Sequence, residues 1–213
     1  DYGDELIAYV GRCIAELPDL LTGAVDPLAL LFPEGSTDIA TAAYRDNLLG
    51  RYVNGMLVAQ VVEYARHHVA DRPLRILEVG AGVGGTSAEL VPALREFPVR
   101  YTFTDISQFF LNSARDLLDE YDFVDYRLFD LNSDPADQGL PDASFDLIVC
   151  ANVLHNAEHI EECLARLDRL LLPGGALAFI DSTGINHPLM ISMEFKDGLD
   201  GYRDLRVDSG SPF

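Results

Sequence analysis

Five polar residues, Glu78, Asp105, Asp130, Asn152 and Asp181, each stand at the end of a short apolar run, and His155 follows three positions after Asn152. If the runs are parallel strands, such side chains share one edge, because open parallel sheets collect ligands outside the strands' carboxyl ends. The stretch richest in chemistry is Leu74-Arg-Ile-Leu-Glu-Val-Gly-Ala-Gly-Val-Gly-Gly85. An apolar, branched run passes directly into Gly80, Gly82 and Gly84 and then into a helix-compatible segment. A backbone without side chains turns tightly there and presents the first N–H groups of the helix to a ligand. Glu78, ahead of the glycines, repels a pyrophosphate and suits a sulfonium or an ammonium. Gly80-x-Gly82-x-x-Gly85 also satisfies the dinucleotide fingerprint, so the glycines alone leave both ligand classes open. Asp105 lies 25 residues beyond Gly80, where a carboxylate accepts both ribose hydroxyls of an adenosyl group, whichever cofactor carries it. Ile106 stands beside it, and Asp130-Leu131 would put an acceptor and an apolar wall next to the adenine.

The elements that must position these residues read as α/β. From residue 74 onward strands alternate with helices, the signature of a parallel sheet. The strands fall at 74–79, 100–106, 125–129, 145–151 and 176–181, and Ser107 is placed to cap the helix after the second. A helix over 158–172 carries Ile160, Leu164, Leu167 and Leu171 on one face and is stopped by Pro173-Gly174-Gly175. Before the sheet, residues 4–17 show a helical stripe of Leu6, Ile7, Val10, Ile14 and Leu17, closed by Pro18. Short helical pieces occupy 18–36, and a third helical region runs over 38–70, broken near Gly50 and Gly55. Residues 1–70 therefore form a helical cap or lid and 71–213 the core. Tyr44, Arg51, Tyr52 and Asn54 of the cap are candidates to close over the ligand and exclude water.

Composition narrows the function further. Fifteen basic against 35 acidic residues leave a formal charge of −20 over 213 residues, which repels nucleic acid and anionic lipid and favours a neutral or cationic ligand. No apolar run approaches the roughly 20 residues of a membrane helix, and no signal peptide opens the chain. The first residue is Asp1 rather than Met, as in a piece of something longer. Cys13, Cys150 and Cys163 lie far apart in apolar stretches and read as buried thiols of a reducing, cytoplasmic compartment. His155-Asn-Ala-Glu158-His159 matches an inverted zinc signature. That chemistry needs both histidines on one helix face, His155 precedes the helix, and no third ligand is in place, so no metal is expected. His67-His68 ends a helix, where a cationic side chain is locally favoured.

Glu78-x-Gly80-x-Gly82-x-Gly84 resembles the first motif of S-adenosylmethionine-dependent methyltransferases with a Rossmann-like, class I fold. Phe145-Asp-Leu-Ile-Val-Cys-Ala-Asn-Val-Leu-His155, with the leucine-rich helix and Leu172-Pro-Gly-Gly175 after it, resembles the methyltransferase domains embedded in polyketide synthases and nonribosomal peptide synthetases. Tyr101-Thr-Phe-Thr-Asp-Ile-Ser107, Asp26-Pro-Leu-Ala-Leu-Leu-Phe-Pro-Glu-Gly-Ser36 and Tyr44-Arg-Asp-Asn47 agree with it. Pro188-Leu-Met-Ile-Ser-Met-Glu-Phe195 and Gly201-Tyr-Arg-Asp204 are similar to assembly lines that build thiazoline siderophores.

The resemblance implies S-adenosylmethionine as cofactor, held by Glu78, Gly80, Gly82, Gly84, Asp105, Ile106, Asp130, Leu131 and Asn152, with Tyr44 and Tyr52 closing from the cap. It implies an acceptor tethered as a thioester to a carrier protein of the same polypeptide, with carbon favoured over nitrogen as the methylated atom. In carbon-methylating members the histidine of the Asn-Val-Leu-His motif is the general base and an acid after the fifth strand orients it. By position these are His155 and Asp181, the latter shorter by a methylene than the family's usual glutamate. A carbon beside a thioester must lose a proton before it attacks a methyl group, and a histidine backed by a carboxylate suits that task. The fold implied has two further strands, for which 182–213 offers no pair, so the sheet is expected to be incomplete at its C-terminal side. Three other readings stay open: a methyltransferase-like epimerase that removes and returns an α-proton, a structural insert, and a nicotinamide dehydrogenase.

Overall fold

The apolar run after Pro73 becomes β1 (Leu74–Val79), buried at every position but Arg75. β1 is the middle of a parallel five-stranded sheet of order β3-β2-β1-β4-β5, with β2 at Val99–Asp105, β3 at Val124–Leu128, β4 at Phe145–Ala151 and β5 at Leu171–Ile180. This is an open parallel sheet with the strand-order reversal of a doubly wound, Rossmann-like fold. The computed structural model describes residues 2–68, 72–184, 195 and 201–208. Most of Pro188–Phe195 therefore lies outside the described residues.

Strand periodicity sorts the core onto two faces. Ile76 pairs with Tyr101 on one side and Leu147 on the other. Leu74, Ile76, Tyr101, Phe103, Leu147 and Val149 pack beneath α5 (Leu48–His68), α6 (Ser87–Ala93) and α7 (Gln108–Leu117). Leu77, Val79, Ile148 and Cys150 point the other way, onto Cys163, Leu167 and Leu170 of α8 (Ile160–Leu170). Each such side chain contributes on the order of 1.5–3 kcal/mol by leaving water. No described helix is long and apolar enough to cross a membrane, and Cys13, Cys150 and Cys163 are buried, unlinked thiols.

The cap is built from α1 (Tyr2–Ala15), α2 (Leu17–Thr22), α3 (Pro27–Leu31), α4 (Asp38–Thr41), a π-helical turn over Ala42–Asp46, and α5. Its small core of Tyr9, Cys13, Leu31, Ile39 and Ala40 also receives Val83 from the glycine turn, which seats the cap directly on that turn.

Four local expectations are corrected. α1 buries Tyr9 and Cys13, one turn apart, while Ile7 and Ile14 are 74% and 59% exposed. The third helical region does not break at Gly50 or Gly55. It breaks at Asn47, whose extended backbone ends the π turn and whose Oδ1 accepts from Gly50 N–H at 2.8 Å, an N-cap for α5. α8 ends at Leu170, with Cys163, Leu167 and Leu170 as its buried stripe, and Pro173-Gly174-Gly175 lies inside β5 rather than after a helix. The register against β4 shifts there, and a Cβ at Gly175 would crowd the carbonyls of Leu172 and Asp146 at 2.9 and 3.0 Å. Finally, Ser107 occupies the N-cap position of α7 but makes no side-chain cap bond. Its N–H donates instead to Asp105 Oδ1 at 2.8 Å.

Candidate active site

The strand order reverses between β1 and β4, so their carboxyl ends diverge and leave a crevice. A cavity of about 340 Å³ opens there over the glycine turn. Gly80, Gly82 and Gly84 have φ of +62°, +54° and +73°, a region that only glycine enters without strain. A Cβ on Gly80 would overlap Val153 Cγ2, so packing demands glycine there; a Cβ on Gly82 meets nothing within 4 Å, because Gly82 faces the open cavity. Gly84 does not line the cavity; a side chain there would meet Leu117, and Gly85 lines the wall in its place.

Glu78 is 1% exposed and lines this cavity. Its Oε2 accepts from Ser87 Oγ at 2.5 Å and Tyr101 OH at 2.7 Å, while Oε1 is buried without a hydrogen-bond partner among the described residues. Burial pushes the carboxyl up to about 7 against the two hydroxyls, which pull it down, and Asp105 adds a smaller upward push. Burial thus favours the neutral acid, and a positive charge placed beside it would favour the ionised one. Asp105, 6% exposed, accepts from Gly82 N–H at 2.9 Å through Oδ2, so the carboxylate that closes β2 also holds the glycine turn. Ile106 is 71% exposed at the rim. Asp130 lines the cavity but organises its own turn, with Oδ1 accepting from Asn132 N–H at 2.9 Å and Oδ2 from Ser133 Oγ at 2.7 Å. Leu131 supplies buried apolar wall beside it.

His155 sits in a 3₁₀ turn over Leu154–Asn156, ahead of α8. Its Nδ1 is 2.6 Å from Asp181 Oδ1 and its N–H donates to Asp181 Oδ2 at 3.1 Å. The shorter acid therefore reaches the histidine, because it also meets the backbone. Burial alone would raise Asp181. The hydrogen bond and charge of His155, with the N–H groups of Ser182 and His155, outweigh it and hold the carboxyl below its ordinary range. A carboxylate on Nδ1 fixes the tautomer that leaves the lone pair on Nε2. Asn152, also on the cavity wall, has φ of +54°, a left-handed conformation that asparagine tolerates better than most residues.

The cap supplies Tyr44, Phe32 and Ala40 to the cavity. Tyr44 is held protonated by burial, which pushes its hydroxyl up to about 12. Asn54, 2% exposed, bridges cap and core, accepting from Thr86 Oγ1 at 3.1 Å and donating to Tyr44 O at 3.4 Å. Tyr52 does not join them: it is 65% exposed and away from the cavity, and Arg51 is exposed as well.

Sequence reasoning missed two sets of residues. Phe110 of α7 packs edge-on against Phe32 at 5.5 Å, an aromatic pair on the cavity wall. Gly201-Tyr-Arg-Asp204 and Arg206 form a strap beneath the histidine turn. Tyr202 OH and Arg206 Nη1 donate to His155 O at 3.1 and 3.2 Å, and Arg206 Nη2 donates to Ala157 O at 2.5 Å. Asp204 accepts from Ile160 N–H at 2.8 Å, and Arg203 pairs with Glu158. Tyr-Arg-Asp was visible as a motif, but nothing local named its partner. His159 caps α8 by accepting from Glu162 N–H at 3.4 Å, and no group of three metal-ligating side chains occurs among the described residues.

Residues 77–177 match the family model of a methyltransferase domain. Over 190 residues the chain is 37% identical to the highly reducing polyketide synthase ltbA of Aspergillus luteorubrus, covering 83% of this chain and 6% of that one. Over 207 residues it is 32% identical to the pyochelin synthetase PchF of Pseudomonas aeruginosa, covering 95% and 11%. The structure superposes on the CurJ carbon methyltransferase with a TM-score of 0.91 and 30% identity, over 99% of this chain and 56% of that one. It superposes on the trans-methyltransferase CalH, in complex with SAH, with a TM-score of 0.82 and 27% identity, over 100% and 57%. The chain thus spans about a tenth or less of these curated relatives and somewhat over half of these solved neighbours.

Proposed function

The chain belongs to the methyltransferase domains found within polyketide synthases and nonribosomal peptide synthetases, and on that premise we propose that it is an S-adenosylmethionine-dependent carbon methyltransferase. Its acceptor is a thioester tethered to a carrier protein of the same polypeptide. The observation that carries this reading is the His155–Asp181 pair, 2.6 Å apart, at the wall of the cavity that the glycine turn opens.

The residues fit the cofactor. Gly82 leaves room where a side chain would intrude, Asp105 faces the same space, and the unpartnered Oε1 of Glu78 calls for a positive or hydrogen-bond-donating group. When bound, S-adenosylmethionine supplies an electrophilic methyl group on a sulfonium. Everything else falls to the protein. His155 would take the α-proton of the acceptor on Nε2 and Asp181 would stabilise the imidazolium that results, leaving an electron pair on carbon for which the cofactor would supply the methyl group, its sulfur leaving as a neutral thioether. Tyr44, Phe32 and the rest of the cap keep water from the site, which aligned methyl transfer requires more than strong acid–base help.

The epimerase reading uses the same pair without methyl transfer. Nothing in the cavity favours it, and the neighbour of highest TM-score above is named for carbon methylation. Mass analysis of a carrier protein loaded with a β-ketoacyl thioester separates the readings. With S-adenosylmethionine the intact protein should add the mass of one methylene, and His155→Ala should lower that rate by roughly 10²- to 10⁴-fold with cofactor affinity retained. With a carrier-bound aminoacyl or thiazoline thioester as the second probe, inversion at the α-carbon with solvent deuterium incorporated and no methyl gain would establish the epimerase instead. A variant that keeps its rate would mean an acceptor that needs no base, such as an amine.

A further inference from the structure

Beyond Tyr44 and Asn152, which also line the glycine-turn cavity, lies a second cavity of about 330 Å³. Its walls away from that partition are apolar: Leu6 and Val10 come from α1, Leu49 and Val53 from α5. Each pair is spaced i, i+4, so both members share one helix face. Leu49 is 69% exposed and stands at the mouth. The charge pattern separates the two cavities. Glu78, Asp105 and Asp130 line the first, whereas no charged side chain lines the second among the described residues. The described lining of the second cavity therefore suits a neutral ligand, with the four aliphatic side chains facing its apolar part.

Its polar groups are few. Asn47 spends its amide on its own backbone, with Nδ2 donating to Ala43 O at 2.6 Å and Oδ1 accepting from Gly50 N–H at 2.8 Å. The other polar side chains of the described lining are Tyr9 of the cap core, Tyr44 and Asn152 at the partition, and Ser182, the residue after the acid that holds His155. Polar groups near the dyad and hydrocarbon beyond them match a molecule with a carbonyl at one end and an alkyl chain at the other. Tyr44, which borders both cavities, brings a hydroxyl to the partition.

Resting on the methyl-transfer reading, we propose that the second cavity receives the acyl limb of the acceptor, and that α1 and α5 of the cap set the chain length the domain accepts. The aliphatic side chains of Leu6, Val10, Leu49 and Val53 match an alkyl chain better than an amide-rich thioester arm, which the proposal places elsewhere. The inference adds no chemical step; it assigns the two limbs of the acceptor to different surfaces.

The test is a binding titration that does not depend on turnover. Four-carbon and eight-carbon β-ketoacyl N-acetylcysteamine thioesters are titrated into the protein saturated with S-adenosylhomocysteine, with unfolding midpoints as the check on folding. The native protein should bind the eight-carbon probe at least tenfold more tightly, since each added methylene enters hydrocarbon. Val10→Trp, which fills the cavity, should abolish that preference. Leu49→Ala, at an exposed position that cannot compromise folding, should reduce it several-fold. Equal affinities for the two probes in the native protein would overturn the proposal, as would an unchanged preference in both variants. Affinity that follows the N-acetylcysteamine end rather than the acyl length would place the thioester arm in the cavity and overturn it too. Length-dependent binding with no methylation in a parallel assay would instead leave the cavity assignment standing and refute the methyl-transfer reading.

Discussion

Replacing Glu78 with Gln probes the site at its most buried acid. Glu78 is 1% exposed, and burial raises it from 4.5 to about 7 in spite of the hydroxyls of Ser87 and Tyr101. The folded protein therefore keeps this proton over a range in which the unfolded chain has lost it. The stability that the protonated acid contributes is full below about pH 4.5 and is lost as pH rises through about 7. At about 1.4 kcal/mol per pKa step, the interval from 4.5 to about 7 amounts to about 3 kcal/mol. For a chain of this size that is roughly 6–12 °C in unfolding midpoint. Gln preserves the shape and cannot ionise. Without cofactor, the midpoint of Glu78→Gln relative to the native protein should climb by about that amount between pH 4.5 and 8. Differencing against the native protein cancels the other carboxylates, including Asp146 and Asp181, whose folded values lie below the ordinary range. The cofactor reverses the sign, because a cation favours the ionised acid. Native affinity should strengthen as pH rises from 6 to 8, while the variant binds weakly and without that slope. Parallel stability curves for the two proteins across this range would refute the electrostatic reading of Glu78.

Three further substitutions test separate parts of the site. Asp181→Asn keeps the volume but removes the charge that holds His155 Nδ1 at 2.6 Å; the methyl-transfer step should fall roughly 10²- to 10⁴-fold with cofactor affinity by calorimetry unchanged. Asp105→Ala leaves the N–H groups of Gly82 and Ser107 without their acceptor and should weaken S-adenosylmethionine binding by about 1–3 kcal/mol, again read by calorimetry. Arg206→Ala removes donors to His155 O and Ala157 O. Turnover should fall on the order of tenfold or more at unchanged cofactor affinity, with Arg206→Lys restoring part of it by supplying one donor; full activity in the alanine variant would leave the strap without a positioning role.

The acids at the strand ends were legible because a buried parallel strand announces itself as an apolar run, and the residue that ends it must face the crevice. Glu78, Asp105, Asp130, Asn152 and Asp181 needed only that rule, and the structure brings Asp181 to His155 across the β4–β5 pair. The misplacements have one physical origin, which is that pattern reading assumes an unbroken period. Tyr44 and Tyr52 belong to one helical region of the cap with its break expected at Gly50, and both read as candidates to close over the ligand. The π turn over Ala42–Asp46 and the extended Asn47 reset the helical phase, leaving Tyr44 on the cavity and Tyr52 in solvent. Pro173-Gly174-Gly175 obeys the rule for ending a helix, yet it serves a bulge within β5, and only the β4 carbonyl of Asp146 beside Gly175 shows why glycine is there. The strap was out of reach for a different reason: Tyr202 and Arg206 act on the carbonyl of His155, 47 and 51 residues away, and no local propensity encodes that contact. Irregular backbone is a cost that a fold keeps only where something is gained. The π turn places Tyr44, and the left-handed Asn152 stands beside it at the partition between the two cavities. Glu34 and Ala143 are left-handed too but line neither cavity, so it is the meeting of Asn152 with the π turn at the partition, and not strain in general, that points where the dyad does.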